Sequence, residues 1–161
     1  MSALKKYTPL FFIITFAALS ATALMYFASS GMERFMQLFM GVFLLQFSLL
    51  KVLDLRGFAK GFAKYDLAAK RSKIYGMIYP FLEFTLALGY LSEGGAWGVE
   101  WVYISTIVLM GFGAIGVLVA LSKGLNTDCA CLGTTLKVPL STVAVTENIS
   151  MVAMATFQLI N

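Results

Sequence analysis

Residues 99–121 read VEWVYISTIVLMGFGAIGVLVAL, with Glu100 their only formal charge. As a helix rising 1.5 Å per residue this run is about 34 Å long. It therefore exceeds the ~30 Å hydrocarbon thickness of a bilayer. The rest of the chain agrees: of 161 residues, 60% are hydrophobic and 12% charged, and the mean hydropathy is +0.85. A soluble domain of this size needs far more polar surface. The expected fold is an all-α, polytopic transmembrane helical bundle of four to five spans, forming one membrane domain over residues 1–161.

Working outward, four further runs match the first. Lys5 and Lys6 precede an apolar stretch at about 8–28. Ser20-Ala21-Thr22-Ala23 could mimic a signal-peptidase site, but the apolar run continues through Leu24 and Tyr26, which reads as a retained helix. A second span is expected at about 33–54, a third at 74–91, and a fifth at 139–160, where Pro139 suits the first helical position. The fifth is the most polar, with Ser141, Thr142, Thr146, Glu147, Asn148 and Ser150, so it should face the bundle. In the fourth span Gly111, Gly113 and Gly116 permit close helix contact. The acidic, Gly-rich turn 92–100 carries Trp97 and Trp101 as interface anchors.

The segment 51–73 holds seven of the twelve basic residues. Phe58 and Phe62 are four apart, as are Lys60 and Lys64, so a short helix here is amphipathic. It is expected to lie along the cytoplasmic membrane surface, with its aromatics in the interface. The alternative is a solvated basic loop. Eleven basic residues (Lys5, Lys6, the seven at 51–73, Lys123 and Lys137) fall on one side of these spans, and only Arg34 on the other. The positive-inside rule then places the N-terminus and the loop 122–138 in the cytoplasm. With the charge explained by membrane flanks, the net +4 does not point to nucleic acid, and the lipid bilayer is the first partner.

That loop carries the only two cysteines, in Asp128-Cys129-Ala130-Cys131-Leu132-Gly133. The chain has no histidine, which removes bis-His haem and His-based zinc sites. A Cys-x-Cys pair can close a strained, readily reduced disulfide ring. It can also hold a soft ion such as Cu(I), Hg(II) or Zn(II). The plain alternative is two inert thiols in a tight turn. A reducing compartment argues against a permanent disulfide and permits a transient one.

Two acids fall within spans. Glu83 and Glu147 both lie roughly 12–14 Å below the cytoplasmic surface at 1.5 Å per residue. An uncompensated charge there costs at least ~2.5 kcal/mol, so each should be protonated, paired or liganding. Their matched depth suggests one site, with Tyr79 and Asn148 nearby and Pro80 bending the helix one turn before Glu83. Lys51 and Asp54, three apart, can pair or supply a partner. A structural hydrogen-bond cluster is the alternative. Met32, Met36 and Met40 repeat every four residues, with Met151 and Met154 further on. Such thioethers suit Cu(I), though methionine at helical spacing is more often packing filler.

Taken together, Phe47-x-x-x-Lys51-x-x-Asp54-Leu55-x-Gly57-Phe58, Tyr65-Asp66-Leu67-Ala68, Tyr79-Pro80-Phe81-x-Glu83, Cys129-Ala130-Cys131-Leu132-Gly133 and Glu147-Asn148 resemble the MauE/DoxX-like redox-associated membrane proteins. That family is named for a methylamine-utilisation protein. The resemblance runs from about residue 35 to the C-terminus. It implies a small bacterial inner-membrane protein and, by association, thiol–disulfide chemistry, linked in the namesake to maturation of periplasmic methylamine dehydrogenase. DoxX relatives without the cysteine pair do not share that chemistry, so the transfer rests on Cys129 and Cys131.

Three functions compete. In the first, Cys129 and Cys131 exchange disulfides with a thioredoxin- or glutaredoxin-like partner, while Glu83 or Glu147 handles the thiol proton. In the second, the cysteines and the two acids bind or transport a soft metal and hand it to a metal chaperone. In the third, the chain is a non-catalytic assembly factor whose polar core only holds the fold.

Overall fold

The computed structural model describes residues 2–27, 31–95, 98–124 and 140–161, with side chains from Tyr7 onward and from Ala144 in the last helix. Cys129, Cys131, Trp97 and Pro139 lie outside the described residues. Six helices are described: α1 (Ser2–Met25), α2 (Met32–Leu53), α3 (Leu55–Phe62), α4 (Lys73–Leu91), α5 (Val99–Ser122) and α6 (Leu140–Ile160). Among the described residues all regular structure is helical. Four helices are long and apolar enough to cross a membrane, over Tyr7–Met25, Met32–Leu53, Lys73–Leu91 and Val99–Ser122. The 21-residue α6 has the length to join them, and it buries Glu147, Asn148 and Gln158. The chain is a multi-pass membrane protein.

Long-range hydrogen bonds fix which helix ends meet. Arg34, at the start of α2, donates to the carbonyls of Tyr90 and Leu91 at the end of α4. It also pairs with Glu93 at 3.1 Å. Gln37 meets the Tyr103 hydroxyl near the start of α5. Tyr90 donates to Thr106 across the α4–α5 turn, and Gln158 near the end of α6 donates to the Glu33 carbonyl. These contacts gather one end of the bundle, here the Arg34 end. The end of α5 and the start of α6 therefore lie at the opposite end, with α3.

At the α3 end, α2 stops at Asp54, whose Oδ1 accepts from Gly57 N at 2.9 Å and starts α3. The sequence suggested Asp54 as a partner for Lys51; the helix break makes it an N-cap. Ser72 caps α4 in the same way. Helix α3 is amphipathic, yet its aromatic face does not rest in lipid: Phe58 and Phe62 are buried in the protein. Their rings stack on Tyr79 of α4, with Phe62 at 4.5 Å and Phe58 at 6.2 Å between centroids. Aromatic pairs of this geometry add to burial, so α3 serves as a lid on the bundle.

The glycines of α5 separate by position. A Cβ on Gly111 would meet nothing within 4 Å. On Gly116 it would stand 3.2 Å from the Tyr65 carbonyl oxygen, and on Gly113 3.3 Å from Asn148 Oδ1. The absence of side chains at 113 and 116 thus admits α6 and the α3–α4 connection. In that connection Asp66 is fully buried, and its Oδ1 accepts from Ala68 N and Ala69 N. Burial pushes the Asp66 carboxyl above its usual range, and the two backbone N–H groups pull it part of the way back.

Phe62→Ala should lower the unfolding free energy in detergent by about 3 kcal/mol, as for other buried Phe truncations. A change below about 1 kcal/mol would instead place this ring on lipid. Asp66→Asn keeps an Oδ1 acceptor and removes the buried charge. A carboxyl raised in the folded state binds its proton more tightly there than when unfolded, so wild-type stability falls as pH rises from 3.8 through the raised value. The stability of Asp66→Asn relative to wild type should therefore improve between pH 4 and pH 7, measured by thermal unfolding.

Candidate functional site

The expected polar site forms around Lys51. Its ammonium stands 2.5 and 2.6 Å from the two carboxylate oxygens of Glu83. The two side chains are 3% and 1% exposed. Three rings complete the surroundings, with Lys51 Nζ 5.7 Å from the Phe47 centroid, 5.6 Å from Phe58 and 5.4 Å from Tyr79. Phe47 is there because it lies one helical turn before Lys51 on α2. Phe58 is supplied by the lid, and Tyr79 by the turn of α4 before Glu83. A desolvated ammonium is attracted by ring faces as well as by its carboxylate. Lys51 is therefore an internal cation, unlike the surface basic residues around it in sequence.

Glu147 approaches from α6. It is buried, and among the described residues no partner meets its Oε2. Glu147, Asn148, Lys51, Glu83 and Tyr79 line one cavity of about 20 Å³. That volume suits about one water molecule. Asn148 Nδ2 donates back to the Ala144 carbonyl at 2.8 Å. Its Oδ1 and the Tyr79 hydroxyl lie over the bare face of Gly113, and Tyr79 makes a long contact to the Met110 sulfur. The structure thus brings Lys51, Tyr79, Glu83, Glu147 and Asn148 together. Asp54 stays at the α3 N-terminus, and Cys129 and Cys131 lie outside the described residues.

Sequence reasoning named Gly113 for helix contact and Tyr79 for the site, and missed Met110 and the Phe47 and Phe58 rings. Of these only Phe47 carried a local signal, its i, i+4 spacing to Lys51. The methionine row runs from solvent-exposed to buried along α2. Met32 is 72% exposed, whereas Met40 is wholly buried.

Glu147 also borders a second cavity, of about 280 Å³, between α1, α2 and α6. Leu10 and Ile14 line it from α1, Phe39 and Phe43 from α2, and Thr146, Ser150, Met151 and Met154 from α6.

These features define a multi-pass helical membrane protein with a buried, charged intramembrane site. A family model described as Methylamine utilisation protein MauE matches residues 25–160, and the chain belongs to this family. The match begins at the end of α1, earlier than the motifs by themselves suggest. No curated protein and no solved structure matches the chain.

Removing one member of a buried ion pair strands the other. Lys51→Met should cost about 3–5 kcal/mol of stability in detergent. Lys51→Met combined with Glu83→Leu should recover most of that loss. Equal damage from the single and double variants would mean that the two charges do not depend on each other.

Proposed function

We propose that this MauE-family protein carries out thiol–disulfide exchange at the bacterial inner membrane through Cys129 and Cys131, in support of the maturation of partner proteins. The observation that carries this reading is the position of Glu147. It is a buried carboxylate with an unpartnered oxygen, sharing a one-water cavity with the Lys51–Glu83 pair. It lies on α6, the helix that follows the cysteine segment in sequence. A carboxyl kept from ordinary solvation beside a fixed charge pair is suited to taking up and releasing a proton.

The step balances without an external redox agent. A thiolate of a thioredoxin- or glutaredoxin-like partner dithiol attacks the Cys129–Cys131 disulfide and forms a mixed disulfide. The partner's second thiolate then attacks that bond and releases the second cysteine of the pair. The partner dithiol becomes a disulfide and the Cys129–Cys131 disulfide a dithiol, with two electrons and two protons transferred. Glu147 is assigned the proton delivered to a departing cysteine thiolate, and Lys51–Glu83 holds the field around it.

The soft-metal reading draws less support. Lys51 already occupies both oxygens of Glu83, so a metal ion there would have to displace a cation. The basic asymmetry supports an orientation with the α3 end, and the cysteines with it, in the cytoplasm.

Cys131→Ser should trap a mixed disulfide between Cys129 and a thioredoxin-like protein, visible on non-reducing gels and lost with reductant. Glu147→Gln should slow exchange by about 10²-fold, the lower range for general acid–base catalysis. A membrane-impermeant thiol reagent should label neither cysteine in intact spheroplasts. Stoichiometric Cu(I) binding without any adduct would turn the reading to metal. Full activity of the Cys129→Ser, Cys131→Ser double variant in cells would leave only an assembly factor.

A further inference from the structure

The second cavity is lined by neither Lys51 nor Glu83. Helix α1 packs on α2, and the space between α1 and α6 stays open with Phe39 and Phe43 as its floor. Its rim is exposed where a bilayer would lie: Ile14 is 40% exposed, and Thr146 and Ser150 are exposed as well. At about 280 Å³ it approaches the size of small-ligand pockets. A molecule entering from the lipid needs no water-filled path.

The lining restricts what fits. Phe39 and Phe43 belong to a run of stacked rings along α2, with centroids 5.8 Å apart, and Met151 and Met154 stand on the facing helix. Aromatic faces opposite polarizable thioethers suit a flat ring. A saturated acyl chain gains nothing from the polar edge formed by Thr146, Glu147 and Ser150. Glu147 lines this cleft together with Thr146 and Ser150, which places a carboxyl group beside the rings. The matching chemistry is an apolar ring bearing oxygens.

We infer that the cleft between α1 and α6 binds a membrane-soluble quinone, its ring between Phe39, Phe43 and the α6 methionines and its oxygen on Glu147. A carboxylate accepts from the hydroxyl of a quinol, and a protonated carboxyl donates to the carbonyl of a quinone, so one residue serves both redox states. The use of the site, though not the binding itself, rests on the thiol reading above. There the Cys129–Cys131 dithiol closes to a disulfide while its two electrons and two protons reduce the quinone to quinol. The quinone is thus the oxidant that regenerates the disulfide.

The test is calorimetric titration of a decyl-tailed benzoquinone into the full-length protein in nanodiscs, against empty nanodiscs and against decanol as a tail without a ring. Saturable binding at one site per chain is expected, with no competition from decanol. Ile14→Trp, which fills the cleft from its exposed rim, should weaken binding at least tenfold. Glu147→Gln should weaken it by about tenfold, the scale of one hydrogen bond to a charged group. If Glu147→Gln does not fold, Ile14→Trp, checked by thermal unfolding, decides alone. The Cys129→Ser, Cys131→Ser protein should bind as wild type does, so a failed thiol reading leaves this result standing. Partitioning equal to that into empty nanodiscs, equal competition by decanol, or binding unmoved by Ile14→Trp would overturn the inference.

Discussion

The ion pair between Lys51 and Glu83 constrains everything around it. Two opposite charges almost wholly out of solvent are tolerable only where the geometry is close and other groups share the load. Both Glu83 oxygens face the ammonium, and three rings surround it. Meeting that requirement sets the register of α2 against α4 and draws α3 inward to supply Phe58. The Arg34 contacts to Tyr90, Leu91 and Glu93 repeat the constraint at the other end. The α2–α4 pair is thus pinned at both ends by polar bonds.

Helices α5 and α6 form a second closely packed pair, and Glu147 lies at the seam between the two pairs. One side of its carboxyl environment is a small space suited to a single water, and the other is a larger cleft lined mostly by apolar groups. A residue so placed belongs to two environments of different polarity. The rigid α2–α4 pair keeps the charged side fixed. Helix α1, held mainly by α2, bounds the apolar side.

The spans were legible because the signal is long: each apolar run approaches or exceeds the bilayer thickness and ends near charge, Gly or Pro. The shared depth of Glu83 and Glu147 followed from counting residues along helices that run in the same direction. What closed the site was not legible. The partner of Lys51 is 32 residues away, while the nearby Asp54 offered a tempting i, i+3 pairing that the helix break turned into a cap. The pattern of Phe58 and Phe62 showed that one face of α3 is apolar. Whether lipid or protein covers such a face depends on Tyr79, in another helix. Gly111, Gly113 and Gly116 look alike in sequence, and only the packing of Asn148 and Tyr65 tells them apart.

The 32-residue separation between Lys51 and Glu83 also bears on how the chain enters the membrane. Synthesis delivers α2 complete before any of α4 exists, so the lysine must wait for its counter-ion. During that interval its long side chain can reach back toward the headgroups from the last turn of α2. The α3 lid cannot close either, because its rings pack on Tyr79 of the same late helix. Insertion therefore passes through a stage in which α1 and α2 are threaded while an ammonium and two aromatic rings remain uncovered. Arrival of α4 satisfies all three at once, making the α2–α4 hairpin the cooperative event of biogenesis rather than the first pair of helices to leave the ribosome.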